Sequence, residues 1–130
     1  MTYRWVEHTA ELELSIEAAT PEDVLADAVA AFAELLGDGD GAPAQHPISV
    51  KGTDRAQQLA DWLEELVYLA ETADFVPDRL AHVELSDDTA EGVVEGHRGS
   101  PPHLVKAVTY HGLQFEPAAE GWKARVVLDV

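Results

Sequence analysis

Apolar residues fall at every second position in the run Leu12, Leu14, Ile16, with Glu11, Glu13, Ser15 and Glu17 between them. That alternation is the two-residue period of a strand with one wet face, and residues 3–6 before it can extend or pair with it. After Thr20 the period changes. Leu25, Ala28, Phe32, Leu35 and Leu36 recur at steps of three and four. They follow a hydroxyl able to cap, a proline suited to the first helical position, and the acids Glu22 and Asp23 where the helix dipole favours them. The spacing predicts a helix over 21–36, stopped by Gly37. Leu59, Trp62, Leu63, Leu66, Val67 and Ala70 form a wider stripe of the same period. They predict a second helix over about 54–73, entered through Asp54 and Gln57 at capping-box spacing.

Turn formers crowd 38–43, and the short stretch 47–51 fits an edge strand. From residue 80 the pattern is again that of strands. Segments 80–85 and 92–97 flank a turn at 86–89 and predict a hairpin, and a second turn follows at 99–102. Segments 105–111 and 122–128 are the last two strands, with 113–116 available to pair between them. The order strand, helix, strand, helix, then several strands with hairpin-length connections implies an α+β fold. Its expected architecture is a mixed or antiparallel sheet with two helices packed on one face. At 130 residues and 46% hydrophobic, the chain has length for one core, so 1–130 is expected to be a single domain.

Charge narrows the function. Against 25 Asp and Glu stand 8 Lys and Arg, a formal net charge of -17. Such a surface repels phosphates and anionic lipid headgroups, so neither direct nucleic-acid binding nor membrane attachment is expected. A basic protein or a cation suits it better. The chain has no cysteine, which excludes disulfides, thiolate metal sites and thiol nucleophiles. It has neither a signal-peptide core near its start nor a run of about 18 apolar residues, and the expected compartment is the cytoplasm.

The common nucleotide-binding and hydrolase signatures are missing: no phosphate-cradling glycine loop, no Gly-x-Ser-x-Gly, no His-Glu-x-x-His. Asp38-Gly39-Asp40-Gly41 imitates the start of a calcium loop, but Pro43 and Ser49 stand where that loop needs a glycine and a bidentate acid. It reads as a solvated turn. Six histidines invite a zinc site, yet His82 and His97 fall on the expected hairpin strands, His103 and His111 lack a helical i, i+4 partner, and ordinary surface or hydrogen-bonded histidines fit better.

The informative acids lie at the two chain ends. Val126, Val127 and Leu128 would sit centrally in a sheet, and they run into Asp129 and Val130. If the first strand lies beside the last, Glu11 joins Asp129 and a carboxylate on Val130 in an all-oxygen set suited to a hard cation such as Ca²⁺ or Mg²⁺. The alternative is exposed acids at fraying strand ends. Lys106 lies in a strand-like run where Val105 and Ala107 share one face and Lys106, Val108 and Tyr110 the other. It can balance acids, touch a partner carboxylate, or snorkel at a sheet edge.

At these residues the chain resembles the archease family. The resemblance rests on Glu7-His8-Thr9-Ala10-Glu11, on 61–69 in the second helix, on Val105-Lys106-Ala107-Val108-Thr109-Tyr110-His111, and on Val127-Leu128-Asp129-Val130. It implies two helices against a sheet and an accessory, non-enzymatic role beside an RtcB-type RNA ligase. The accessory protein would promote guanylylation of the ligase histidine by GTP, and hence multiple turnover in tRNA splicing or RNA repair. It also implies metal ligands at Glu11, Asp129 and Val130, with Lys106 and Glu7 as further functional residues. The family usually carries aspartate where this chain has Glu11, and the extra methylene bears on metal choice. Ca²⁺ is favoured, with Mg²⁺ and Mn²⁺ as alternatives. Two rival readings use the same carboxylates: a free-standing metal-dependent phosphoester hydrolase, and a structural, chaperone-like partner module. The acids alternating through 11–17 would discourage edge pairing between copies, which favours a monomer.

Overall fold

The computed structural model describes residues 2–8, 11–37, 40–101 and 105–130. Its elements, in chain order, are β1 (Thr2–His8), β2 (Glu11–Ala18), α1 (Pro21–Leu36), β3 (Pro43–Lys51), α2 (Arg55–Thr72), β4 (Phe75–Leu85), β5 (Thr89–Arg98), β6 (Ala107–Ala118) and β7 (Gly121–Asp129). The fold is α+β and every strand pair is antiparallel. The strands form two sheets where one was expected. A four-stranded sheet runs β1-β2-β7-β6 and a three-stranded sheet β3-β5-β4. Both helices touch both sheets, α1 chiefly through β4 and β2, α2 chiefly through β6, β3 and β4. The helices therefore bury their stripes against two sheets at once, and the buried side chains make one contiguous cluster.

The helix ends follow from local chemistry. Thr20 keeps extended backbone angles and its hydroxyl accepts from the Asp23 N–H at 3.1 Å, while Gly37 leaves the helix at φ 91°. Asp54 caps α2 by accepting from the Ala56 N–H at 2.8 Å. The expected capping box does not close. Gln57 Nε2 turns outward to Asp61 at 2.9 Å and to the Tyr110 hydroxyl at 3.3 Å, because β6 packs on α2 and offers it partners.

Tertiary pairing also overrides several local boundaries. β3 begins at Pro43 rather than 47, since β5 supplies partners for the whole length and both prolines sit on an edge strand. β4 begins at Phe75, where Phe75 and Val76 are buried. Segments 105–111 and 113–116 join into the single strand β6, whose register against β7 shifts between Thr109 and Gln114. At Gly112 φ is +68°, and Arg125 occupies the space a Cβ would take. The positive φ favours glycine there. Gly92 meets a different demand: a Cβ would lie 2.9 Å from the Trp62 ring, which is fully buried between α2 and β5.

Two expectations change at sheet level. β2 is an interior strand between β1 and β7, so its acids guard no edge and say nothing about a monomer. The alternation assumed around Lys106 also fails, because Val105 and Val108 are both buried while Lys106 and Ala107 are exposed. Regular pleating begins only at Ala107. Thr9, Ala10, Asp38, Gly39, Pro102 and His103, which carry parts of the first motif, the calcium-like turn, the second turn and the histidine set, lie outside the described residues. No described helix is long and apolar enough to cross a membrane.

Candidate functional site

β2 lies beside β7, the condition under which the two ends of the chain could meet. Their register pairs Glu11 with Asp129, Leu12 with Leu128 and Glu13 with Val127. Directly opposed residues of an antiparallel pair project from the same face. Leu14, Ile16, Val126 and Leu128 are buried, so Glu11 and Asp129 belong to the other face, which points away from the core. Both are half-buried.

β6 closes the far side of this end. Ala107 is the register partner of Asp129, and the Lys106 N–H donates to the Asp129 carbonyl at 2.8 Å. That bond holds the Lys106 backbone at the end of β7, although its side chain makes no ion pair with a described residue. The register treats Glu7 differently. It opposes Leu12, which places it on the core-side face of the sheet, across from Glu11 and Asp129. Glu7 therefore does not share a face with Glu11 and Asp129. The cause is that β1 pairs residue for residue with β2, so adjacent positions alternate faces.

One rung further along, Arg125 Nη2 donates to Glu13 Oε1 at 2.7 Å. This bond and the Glu13 charge raise the Arg125 pKa. Arg125 also donates to the Gly112 carbonyl at 3.3 Å, and Lys123 faces Glu116 at 3.4 Å. The cations of β7 are thus engaged by other acids, leaving Glu11 and Asp129 without an ion pair to a described residue. The Glu13–Arg125 pair was not foreseen, because 112 residues separate its members and only the β2–β7 register joins them.

The donors at this end are carboxylate oxygens, the ligand type that hard cations take. Two carboxylates sit in register on one face, and Val130 follows Asp129 directly. Among the described residues no three of His, Asp and Glu are gathered for a metal, so the Glu11–Asp129 pair by itself is not a complete ligand set. Three of the six histidines are occupied otherwise: His97 Nδ1 lies 2.5 Å from Asp78, His82 lies 3.4 Å from Glu84, and His46 packs edge-on to Phe75. A cleft of about 590 Å³, lined by Gln45, Asp78, Arg79, Glu95 and His97 among others, lies on the other sheet. Its charges pair internally, with Arg79 2.5 Å from Glu95.

Comparison with known proteins identifies the family and the fold. Residues 3–130 match the Archease protein family. Protein archease of Methanosarcina mazei is 30% identical over 139 residues, covering 98% of this chain and 95% of its own length. The solution structure of protein 1598 from Methanobacterium thermoautotrophicum superposes with a TM-score of 0.79 at 25% identity, over 98% of both chains. The crystal structure of an archease, possible chaperone, from Thermotoga maritima shares the fold with a TM-score of 0.70 at 20% identity, over 100% of this chain and 98% of its own. With the family match running from residue 3 to residue 130 and a relative 30% identical over 98% of the chain, the chain belongs to the archease family.

Proposed function

We propose that this chain is a cytoplasmic accessory protein of an RtcB-type RNA ligase in tRNA splicing or RNA repair, acting on the enzyme and not on RNA. In this reading Glu11, Asp129 and Val130 hold a divalent cation, Ca²⁺ before Mg²⁺ or Mn²⁺, beside Lys106. The observation that carries it is the register pairing of Glu11 with Asp129, two acids on one sheet face without a described cation to balance them. Like charges held this close favour a bound cation or a retained proton. Family membership supports the accessory role, and the net charge of -17 suits approach to a basic, RNA-binding enzyme.

The chain's own residues divide the work. Glu11 and Asp129 present oxygens, the Lys106 N–H pins the end of β7, and Glu13 holds Arg125 away from the pair. The cation, when bound, would neutralise charge on nucleotide phosphates during guanylylation. The Lys106 ammonium would add a second positive group near the same phosphates.

The test is RNA end-joining by limiting ligase with GTP and excess RNA ends. Wild-type chain should lift joining beyond one event per ligase, and Asp129→Ala should lower that stimulation by about tenfold or more while circular dichroism stays unchanged. Full stimulation by Asp129→Ala would defeat the reading. Phosphoester turnover by the chain alone, abolished by chelator, would favour the hydrolase, and loss of stimulation only in step with loss of folding would favour the structural module.

A further inference from the structure

The outer arc of α2 is built against its own stability. Asp61, Glu64, Glu65 and Glu71 point away from the core side of the helix, and none forms an ion pair with a described residue. Asp61 lies three and four residues before Glu64 and Glu65, where like charges on a helix repel. Glu71 stands in the last turn, which holds no basic residue and where the dipole disfavours an anion. A groove of about 410 Å³ runs between this arc and β3, lined by Val50, Lys51, Asp61, Glu64, Glu65 and Tyr68.

Exposed apolar surface follows the same path. The large hydrophobic residues exposed among the described ones are Tyr68 at 57%, Tyr110 at 53% and Val130 at 38%. Val130 adjoins Asp129, Asp129 pairs with Ala107, and Tyr110 lies three residues further along that strand. The Tyr110 hydroxyl accepts from Gln57, which begins the α2 arc that reaches Tyr68 about 16 Å away along the helix. Tyr110 and Tyr68 thus lie on the α2 side of the molecule, whereas Glu11 and Asp129 project from the opposite face of the four-stranded sheet. Tyrosines that present a flat apolar body and a polar tip are the residue type that anchors protein interfaces.

We infer that the α2 arc, from Tyr110 to Tyr68, is the docking surface for a lysine- and arginine-bearing segment of the partner protein. The inference rests on the accessory-protein reading and separates two duties within it: the arc supplies affinity, and the Glu11–Asp129 end supplies the effect on the enzyme. The occupant is argued from charge, since the arc and groove carry four acids against the single Lys51. A second copy of this chain, at -17, would meet the arc with like charge.

Two variants test it without touching the core: Asp61→Asn/Glu64→Gln/Glu65→Gln together, and Tyr68→Ala with Tyr110→Ala. In the end-joining assay each should raise the concentration of chain giving half-maximal stimulation by about tenfold, with the maximum at saturation unchanged. The amide variant should also flatten the dependence of that concentration on salt. Asp129→Ala should do the reverse, losing the maximum while still competing with wild type for the ligase. Unchanged half-saturation in both arc variants overturns the inference. If wild type gives no stimulation, the accessory reading fails by itself, and a synthetic ten-residue Lys/Arg peptide then decides the surface by amide NMR shifts. Shifts confined to 57–71 and Tyr110 support it, and equal shifts over the acids Glu84, Glu91 and Glu95 of the other sheet overturn it.

Discussion

Asp27 is the residue at which burial and charge conflict most directly. It is 6% exposed, and its Oδ2 has no hydrogen-bond partner among the described residues. Desolvation, with Asp23 adding repulsion, pushes its pKa above the usual carboxylate value. A raised carboxyl contributes its neutral-state stability in full below the unfolded value near 3.8, and that contribution is lost as pH rises through the folded pKa. Asp27→Asn keeps the shape without the charge. It should add about 1 kcal/mol of stability at pH 7, read as a higher melting temperature, and the gain should fade toward pH 4. Thermal melts across that range check both points, and a variant less stable at pH 7 would show that the carboxylate has a role the fold needs. On the same side of the molecule, Tyr3 bonds Glu34 and its pKa is pushed up to about 12, first by that hydrogen bond and then by burial. None of this was visible beforehand: Asp27 sits one turn after Asp23 in a sequence full of acids, and only the packing of α1 removes it from water.

The elements show where local chemistry suffices. α1 occupies 21–36 as its spacing predicts, because Thr20, Pro21 and Gly37 act within one turn of themselves. Thr20→Ala removes the acceptor of the Asp23 N–H and should cost about 1 kcal/mol, read as a lower midpoint in urea with an unchanged slope, while Thr20→Ser should stay near wild type. Local chemistry fails in β6. Residues 107–118 look like two strands around Gly112, yet β7 accepts both halves as one by shifting register. Gly112→Ala should be costly for two reasons: the positive φ, and the displacement of Arg125 from the space it fills. If the proposed cation site is real, loss of the Glu13–Arg125 bond would leave the Arg125 charge free to compete there, so Gly112→Ala should bind Ca²⁺ more weakly by calorimetry, beyond what its loss of stability explains.

For the whole molecule the dominant quantity is net charge. At -17 over 130 residues, self-repulsion opposes the compact state and salt screens it. The melting temperature should therefore rise between 20 mM and 500 mM NaCl, and by more than it does for Asp61→Asn/Glu64→Gln/Glu65→Gln, in which three repelling charges are gone. An unchanged melting temperature would mean that acids elsewhere are spaced widely enough not to interact. The sequence alone determined the two helices, the β-rich second half, the acidity that disfavours nucleic acid, and the motifs that mark the family, since each depends on residue type and on spacing within a few turns. Tertiary structure alone decided that the strands split into two sheets, that β2 is interior, that Glu11 faces Asp129 while Glu7 faces the other way, and that Arg125 belongs to Glu13. Those outcomes depend on which strand lies beside which and in what register, and a one-residue change of register moves every side chain to the opposite face.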